Sequence, residues 1–102
     1  MPFVAVCSTA EVPPGAMRRF DIAGRPLAVY NVDGAFFVTA AICTHEHADL
    51  TEGELQGRKI TCPLHGARFD VATGRVVSPP AFKPLKTFAV RGRGDLLEVD
   101  LP

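Results

Sequence analysis

Short runs of apolar residues, many of them spaced two apart, alternate with turn-forming residues along this chain. A spacing of two is typical of β-strands, and no segment has the apolar spacing of an amphipathic helix. The runs predict strands over residues 3–7, 17–22, 27–32, 35–41, 50–55, 58–62, 67–71, 85–90 and 96–101. Asp33-Gly34 joins the third and fourth runs and is a strong hairpin signal. The pattern predicts an all-β protein, an antiparallel sandwich or open barrel.

Segments rich in glycine, proline and aspartate separate the predicted strands. They predict turns over residues 11–15, 23–26, 56–57, 72–74 and 91–95. Residues 77–81 read Val-Ser-Pro-Pro-Ala and form a rigid segment with few hydrogen-bond donors. From the residues alone, this proline segment is predicted to be a surface connection.

Size and composition fit one globular domain with a modest core, at 102 residues, 47% hydrophobic and 22% charged. Eleven basic and eleven acidic residues cancel, so the net charge does not suggest a nucleic-acid partner. The N-terminus has no basic region ahead of its short apolar run, and no run approaches the length of a membrane span. We therefore expect a cytoplasmic protein without a membrane partner.

Two short segments each combine a cysteine with a histidine: Cys43-Thr44-His45 and Cys62-Pro63-Leu64-His65. Residues two apart in an extended loop point the same way, so Cys43 and His45 can face one centre. The second segment needs a turn, which Pro63 and Gly66 favour. The resulting set of two thiolates and two imidazoles fits a structural zinc ion. It also fits an iron–sulfur cluster in which two histidines replace two cysteines on one iron.

The pairing of unlike ligands within each segment favours the cluster. Zinc modules usually pair two cysteines or two histidines locally. A binuclear cluster between the segments can take one cysteine and one histidine from each. The chain has three cysteines, an odd number that does not suggest a disulfide framework. Cys7 lies outside both segments and is predicted to be a small buried hydrophobe on the first strand.

In these two segments the sequence closely resembles the Rieske family, whose signature is Cys-x-His, a spacer of this size and Cys-x-x-His. The resemblance continues through Gly66–Asp70 and Thr73-Gly74 and covers most of the chain. It is strongest to the small Rieske-type ferredoxins of bacterial aromatic-ring dioxygenase systems. It implies one Rieske domain over residues 1–102, with a cluster-binding subdomain at about 42–84 within a base of residues 1–41 and 85–102.

The same resemblance implies one [2Fe-2S] cluster per chain. Cys43 and Cys62 would bind an inner iron, and His45 and His65 would bind an outer, exposed iron. The proline segment would cover the cluster.

The implied function is that of a one-electron carrier between a flavin-containing reductase and the terminal oxygenase of an aromatic-ring dioxygenase system. The chain is expected to be a monomer and not an enzyme. A mononuclear iron site needs two histidines and a carboxylate, whereas only His47 of the three histidines lies outside the cluster ligands. Two alternatives stay open: the small Rieske subunit of a nitrite reductase, and a structural zinc module that mediates protein contacts.

Two features near the first segment have open interpretations. His47 is interpreted as an exposed polar residue, with a role in docking or pH response as the sharper alternative. Glu46, Asp49, Glu52 and Glu54 form an acidic stretch without an intervening lysine or arginine. This stretch is either a solvated face or a surface that steers a basic rim on a redox partner.

Four positions predict a low reduction potential. High-potential members of the resembled family carry a disulfide between the ligand loops, where this chain has Ala48 and Leu64. They also carry a serine and a tyrosine that donate to sulfur, where this chain has Ala67 and Phe69. A donor to sulfur stabilises the reduced cluster more than the oxidised one, so the missing hydroxyls lower the potential.

Overall fold

The computed structural model describes residues 3–44, 47–64, 66–79 and 83–101. Within these ranges the chain forms β-strands and two short 3₁₀ turns, Thr9–Glu11 and Leu50–Glu52, but no α-helix. No helix there is long and apolar enough to cross a bilayer. The strands are β1 Phe3–Ser8, β2 Met17–Ile22, β3 Arg25–Val32, β4 Ala35–Ala40, β5 Glu54–Gln56, β6 Lys59–Thr61, β7 Arg68–Asp70, β8 Val76–Ser78, β9 Thr87–Phe88, β10 Val90–Arg93 and β11 Leu96–Asp100.

The strands form three antiparallel sheets, which confirms the all-β prediction. The first sheet has the order β1-β11-β10, the second β2-β3-β4-β9 and the third β5-β6-β7-β8. The third sheet takes all four of its strands from consecutive chain, whereas the first two draw strands from both ends of the sequence. The segment that carries the cysteine–histidine pairs is therefore inserted between strands of the other two sheets.

Strand β3 explains how the three sheets share their cores. Leu27 and Val29 pack into one buried cluster together with residues of the first sheet. Ala28 and Tyr30 alternate with them and pack into a second cluster, together with residues of the third sheet. Because successive side chains of a strand point to opposite faces, the second sheet is covered on both sides. That is why β3 reads as a continuous apolar run.

The hairpin between β3 and β4 is turned as the sequence predicts. Asp33 and Gly34 have positive φ angles of 52° and 92°. This is the conformation that a tight two-residue hairpin requires. The strand prediction for residues 17–22 also matches β2 at both ends.

Four local predictions are wrong in part. The turn predicted at 23–26 is shorter, because Arg25 and Pro26 belong to β3. Residues 50–55 form a 3₁₀ turn followed by β5, because the Asp49 side chain caps the turn and accepts a hydrogen bond from the Thr51 N–H. The predicted strand 85–90 is divided, since β9 pairs with β4 in the second sheet and β10 pairs with β11 in the first. The turn predicted at 91–95 is shorter, because residues 91–93 belong to β10.

The proline segment is also more regular than predicted at its start. Val77 and Ser78 belong to β8, which pairs with β7. Pro79 is exposed and is the last residue of the described range 66–79. Pro80 and Ala81 lie outside the described residues, so the covering role of this segment stays a prediction.

Candidate metal centre

Backbone pairing joins the two ends of the first ligand loop, residues 43–48. The point where these ends meet is called the neck of the loop. It begins just after β4, where Ile42 forms an antiparallel bridge with Asp49. The Cys43 N–H donates to the Ala48 carbonyl oxygen at 2.9 Å. The Leu50 N–H donates to the Ala41 carbonyl oxygen at 2.8 Å. The two ends of the loop are thus held side by side, with Cys43 at its base.

The second ligand loop, residues 62–67, has the same neck. It connects β6 to β7, which pair from Thr61 and Arg68 outward. The Cys62 N–H donates to the Ala67 carbonyl oxygen at 2.7 Å. Gly66 has a φ of 73°, a left-handed conformation that a glycine adopts without strain. Cys62 therefore sits at the base of a six-residue loop, as Cys43 does.

Both cysteines lie in the same buried core. Cys43 is 5% exposed and Cys62 is 1% exposed, and both belong to the cluster formed between the second and third sheets. The alanines that close the two necks, Ala48 and Ala67, belong to this cluster as well. The fold therefore brings the two predicted thiolate ligands into one water-poor region.

The predicted histidine ligands, His45 and His65, lie outside the described residues. Within the described ranges, no group of three or more His, Cys, Asp or Glu side chains is arranged to hold a metal ion. The four-residue ligand set thus stays a prediction, of which the structure describes the two buried cysteines. His47 is described and exposed, in keeping with its interpretation as a surface residue.

Cys7 is separated from the two ligand loops by the second sheet. It is 7% exposed and packs in the other core, between the first and second sheets. Burial and the nearby Glu11 carboxylate raise the pKa of its thiol above the ordinary value. This placement confirms that Cys7 is a buried structural residue of β1.

Asp49 fastens the first ligand loop to the second sheet. Its carboxylate accepts hydrogen bonds from the Thr51 N–H and hydroxyl at 2.9 and 2.6 Å, and pairs with Arg19 of β2 at 3.1 Å. Burial raises the pKa of this carboxyl, but the hydrogen bonds from Thr51 and Arg19 outweigh it and hold the pKa below its ordinary value. The Asp49 carboxylate is therefore engaged in contacts within the protein, whereas Glu52 and Glu54 of the acidic stretch are exposed.

Residues 83–88 run alongside residues 40–44, the segment that leads into the first loop and is called its stem. The Ala40 N–H donates to the Lys86 carbonyl oxygen at 2.9 Å, beyond the β4–β9 pairs. The Thr44 hydroxyl donates to the Lys83 carbonyl oxygen at 2.7 Å. The Leu85 N–H donates to the Gly74 carbonyl oxygen at 2.8 Å. A Cβ at Gly74 would collide with the Leu85 carbonyl oxygen, so this close approach requires glycine.

Asp70 organises the turn that follows the second loop. Its carboxylate accepts from the Ala72 N–H at 2.8 Å and pairs with Arg58 at 3.3 Å. In the sequence, Asp70 stands out only as part of the Gly66–Asp70 resemblance, and Asp49 only as one of four acidic residues. An Asp two residues before a backbone donor is a recognisable turn signal for both positions. The Arg19 contact has no such signal, because thirty residues separate it from Asp49.

The donor chemistry of the described residues fits a [2Fe-2S] cluster. Two buried cysteines lie at the bases of two matched loops, and cysteine thiolate is the kind of ligand that such a cluster requires. A family profile described as the Rieske [2Fe-2S] domain matches residues 2–89. The chain belongs to the Rieske [2Fe-2S] family. It therefore carries one [2Fe-2S] cluster, and the zinc alternative is set aside.

Relatives of this Rieske chain are ferredoxins of dioxygenase systems. The ferredoxin component of biphenyl 2,3-dioxygenase from Rhodococcus jostii (strain RHA1) is 42% identical over 101 residues, which cover 99% of this chain and 94% of the relative. A ferredoxin of Sphingomonas yanoikuyae B1 superposes with a TM-score of 0.94 at 39% identity, covering 99% of this chain and all of the other.

Two further structures resemble this chain to different degrees. The ferredoxin in a complex of reduced oxygenase and oxidised ferredoxin of carbazole 1,9a-dioxygenase matches at 41% identity and a TM-score of 0.90, covering 95% of this chain and 91% of that chain. A structure described as the small subunit of an NADPH nitrite reductase has a TM-score of 0.80 but only 17% identity. That second likeness shows the shared fold alone.

Proposed function

We propose that this chain is the ferredoxin of an aromatic-ring dioxygenase system and carries single electrons from a flavin-containing reductase to a terminal oxygenase. The observation that carries the proposal is the pair of matched loops with buried cysteines in a chain that aligns with the biphenyl system's ferredoxin over nearly its whole length. The chain acts as an electron-transfer component and not as the catalyst.

The proposed ligands are Cys43 and Cys62 on the inner iron and His45 and His65 on the outer iron. The burial of both cysteines supports this assignment of inner and outer positions. When bound, the cluster takes up and releases one electron. Two thiolates and two neutral imidazoles carry two fewer negative charges than four thiolates, so adding an electron costs less free energy.

We also propose that residues 42–84 act as a cluster-binding subdomain on a base of residues 1–41 and 85–102. The self-contained third sheet supports this division, because its four strands all lie within the range. The two parts nevertheless share one core, in which Tyr30 of the base packs in the same cluster as Phe69 of the third sheet. A shared core would hold the cluster at a fixed place relative to the base.

The proposed partners follow from the relatives. A related ferredoxin forms a complex with the oxygenase of carbazole 1,9a-dioxygenase, which supports an oxygenase as the electron acceptor. A flavin-containing reductase is proposed as the donor. We propose that the chain is a monomer, so that one surface can meet each partner in turn.

Reconstitution tests the proposal. The reductase and oxygenase of the Rhodococcus jostii biphenyl system are mixed with biphenyl and NADH, with this protein replacing the native ferredoxin. We expect oxygenated product with the wild-type protein and none with Cys43→Ala. The proposal fails if the wild-type protein accepts an electron from dithionite but supports no turnover with the biphenyl or the carbazole oxygenase.

A further inference from the structure

An open apolar groove lies against the stem of the first ligand loop. It has a volume of about 270 Å³ and is lined by Arg25, Pro26, Leu27, Ala40, Ile42, Lys86 and Phe88. Ile42 directly precedes the proposed ligand Cys43. The groove therefore adjoins the start of the loop that carries two of the four proposed ligands, Cys43 and His45.

The register of the second sheet explains why this groove is uncovered. Leu27 pairs with Ala40 and Val38 pairs with Phe88, so these four side chains share one face. Val38 is 1% exposed because the first sheet covers that part of the face. Ala40 and Ile42, further along, are only half-buried. The groove is thus the continuation of a core-facing surface beyond the edge of its covering sheet.

The rim of the groove is positively charged. Lys86 is exposed, and its ammonium group lies 5.5 Å from the centre of the Phe88 ring. Arg25 also lines the groove, and none of the lining residues that the structure describes carries a carboxylate. Lys83, which also follows the loop stem, is exposed as well. An apolar floor with a cationic rim favours an apolar side chain flanked by carboxylates.

The size of the groove favours a protein occupant over a metabolite. Small-molecule sites usually enclose about 300–1,000 Å³ and bury most of the ligand. This groove is close to the lower end of that range and is open along one side, so it leaves much of an occupant exposed and fits one or two side chains of a docked surface. Weak, partly electrostatic docking suits a carrier that must bind and leave its partners quickly.

We propose that this groove is a docking site for the terminal oxygenase, which would insert an apolar side chain flanked by carboxylates beside the first ligand loop. The proposal rests on the electron-carrier function proposed above. It assigns the basic side of the loop stem, at Lys86, to partner contact. The exposed Glu52 and Glu54 of the acidic stretch have no part in it.

Carbodiimide cross-linking gives the direct test, because this reagent joins a lysine only to a carboxylate in contact with it. The holo-protein is mixed with the carbazole or biphenyl oxygenase, and the joined peptides are identified by mass spectrometry. We expect Lys86 to be linked to an oxygenase Asp or Glu. Lys59, an exposed lysine of β6, is expected to remain unlinked.

Charge reversal supplies the kinetic test. Lys86→Glu should lower the second-order rate constant for electron transfer to the oxygenase at least tenfold at low salt, with a difference that shrinks as salt is added. Lys59→Glu makes the same change in net charge and should alter the rate less than twofold. Both variants should keep the wild-type cluster spectrum, potential and rate of reduction by dithionite.

The possible outcomes distinguish a failure of the groove proposal from a failure of the proposed function. Equal rates for Lys86→Glu and Lys59→Glu, or no Lys86 cross-link while wild-type protein transfers electrons, would overturn the groove proposal and leave the function standing. Self-association in the ultracentrifuge that Lys86→Glu abolishes would also overturn it, with a second copy as the occupant. Wild-type protein inert toward both oxygenases would overturn the function and the groove proposal together.

Discussion

The two ligand loops have the same neck but different supports. Each has six residues, begins with a buried cysteine and is closed by a hydrogen bond from that cysteine's N–H to an alanine carbonyl. The first loop follows the end of β4 and is fastened by side chains, through Asp49 to Arg19 and through Thr44 to Lys83. The second loop lies between β6 and β7 and is held by their ladder.

This difference shows that one neck geometry can be stabilised by two kinds of interaction. A hairpin loop is positioned by the backbone pairing of the two strands that it joins. A loop at the end of a sheet needs contacts from residues distant in sequence, and Arg19 is thirty residues from Asp49. We therefore expect the first loop to be more sensitive to side-chain substitution, and the second to be more sensitive to changes in the strands.

The largest effect should come from the proposed ligands, and here the loops should not differ. Alanine in place of Cys43, His45, Cys62 or His65 should abolish the native cluster, because each loop is proposed to provide half of the donor set. Loss of the cluster should also loosen residues 42–84 while the first two sheets persist. Iron and sulfide content, the visible spectrum and hydrogen exchange measure these effects. A normal spectrum in any one variant would refute the assignment of that ligand.

The next effect should distinguish the loops by stability. Asp49→Ala should cost about 2 kcal/mol, since it removes a turn cap and two further hydrogen bonds to a charged group. Asp70→Ala, beside the second loop, should cost about 1 kcal/mol, because the β6–β7 ladder remains. Urea unfolding of the holo-proteins measures both. Equal costs, or a larger cost for Asp70→Ala, would contradict the difference between the two supports.

The contribution of Asp49 should not change between pH 5 and 8. Its lowered pKa keeps the carboxylate ionised in the folded protein throughout that range. Its contribution is complete above the unfolded carboxyl pKa of about 3.9 and is lost only as the pH falls through the lower native value. The difference in unfolding free energy between wild type and Asp49→Asn measures this. A difference that declines from pH 8 to pH 5 would mean that the pKa is raised instead.

A smaller effect concerns the potential and the second loop. Ala67 and Phe69 are fully buried in the core that contains both cysteines. A hydroxyl that donates to sulfur favours the reduced state by ~1–2 kcal/mol. Ala67→Ser and Phe69→Tyr should therefore each raise the potential by roughly 40–90 mV. Phe20→Tyr, in the other core, is the control and should leave the potential unchanged.

Voltammetry measures these potentials. The wild-type midpoint should lie near the bottom of the range known for Rieske centres, about −150 to +300 mV. A wild-type value well above 0 mV, or a lower value in the serine and tyrosine variants, would contradict the role of the missing hydroxyls.

The smallest effect should come from Cys7. It packs on the far side of the second sheet from both loops, so Cys7→Ser should leave the iron content, spectrum and potential unchanged. A buried hydroxyl in place of the thiol should cost about 1 kcal/mol of stability. Loss of iron from this variant would require a site other than the two loops.

The sequence predicts much of the fold because period-two patterning and turn residues are local signals. β2 and the Asp33-Gly34 turn follow from them directly. The division of residues 85–90 between β9 and β10 does not, because a continuous apolar run does not reveal that the chain passes from one sheet to another. Local pattern likewise gives no indication of β8, whose Val77 and Ser78 adjoin two prolines.

The site shows the same division between local and distant signals. The cysteine–histidine spacing marks the proposed ligands, and the burial of Cys43 and Cys62 agrees with it. The Arg19–Asp49 contact joins elements far apart in sequence, so spacing gives no signal for it. The sequence gives no signal for the hydrogen bond from Thr44 to the Lys83 carbonyl either, because these residues become neighbours only in the folded chain.

The central claim is that the two loops jointly bind one [2Fe-2S] cluster through two cysteines and two histidines. Pulsed electron paramagnetic resonance of the dithionite-reduced protein, with ¹⁵N-labelled histidine, tests it most directly. The account predicts two inequivalent histidine nitrogen couplings in the wild type, both retained in His47→Ala. A reduced cluster that shows no histidine coupling or a single one, or whose couplings change in His47→Ala, would contradict the claim.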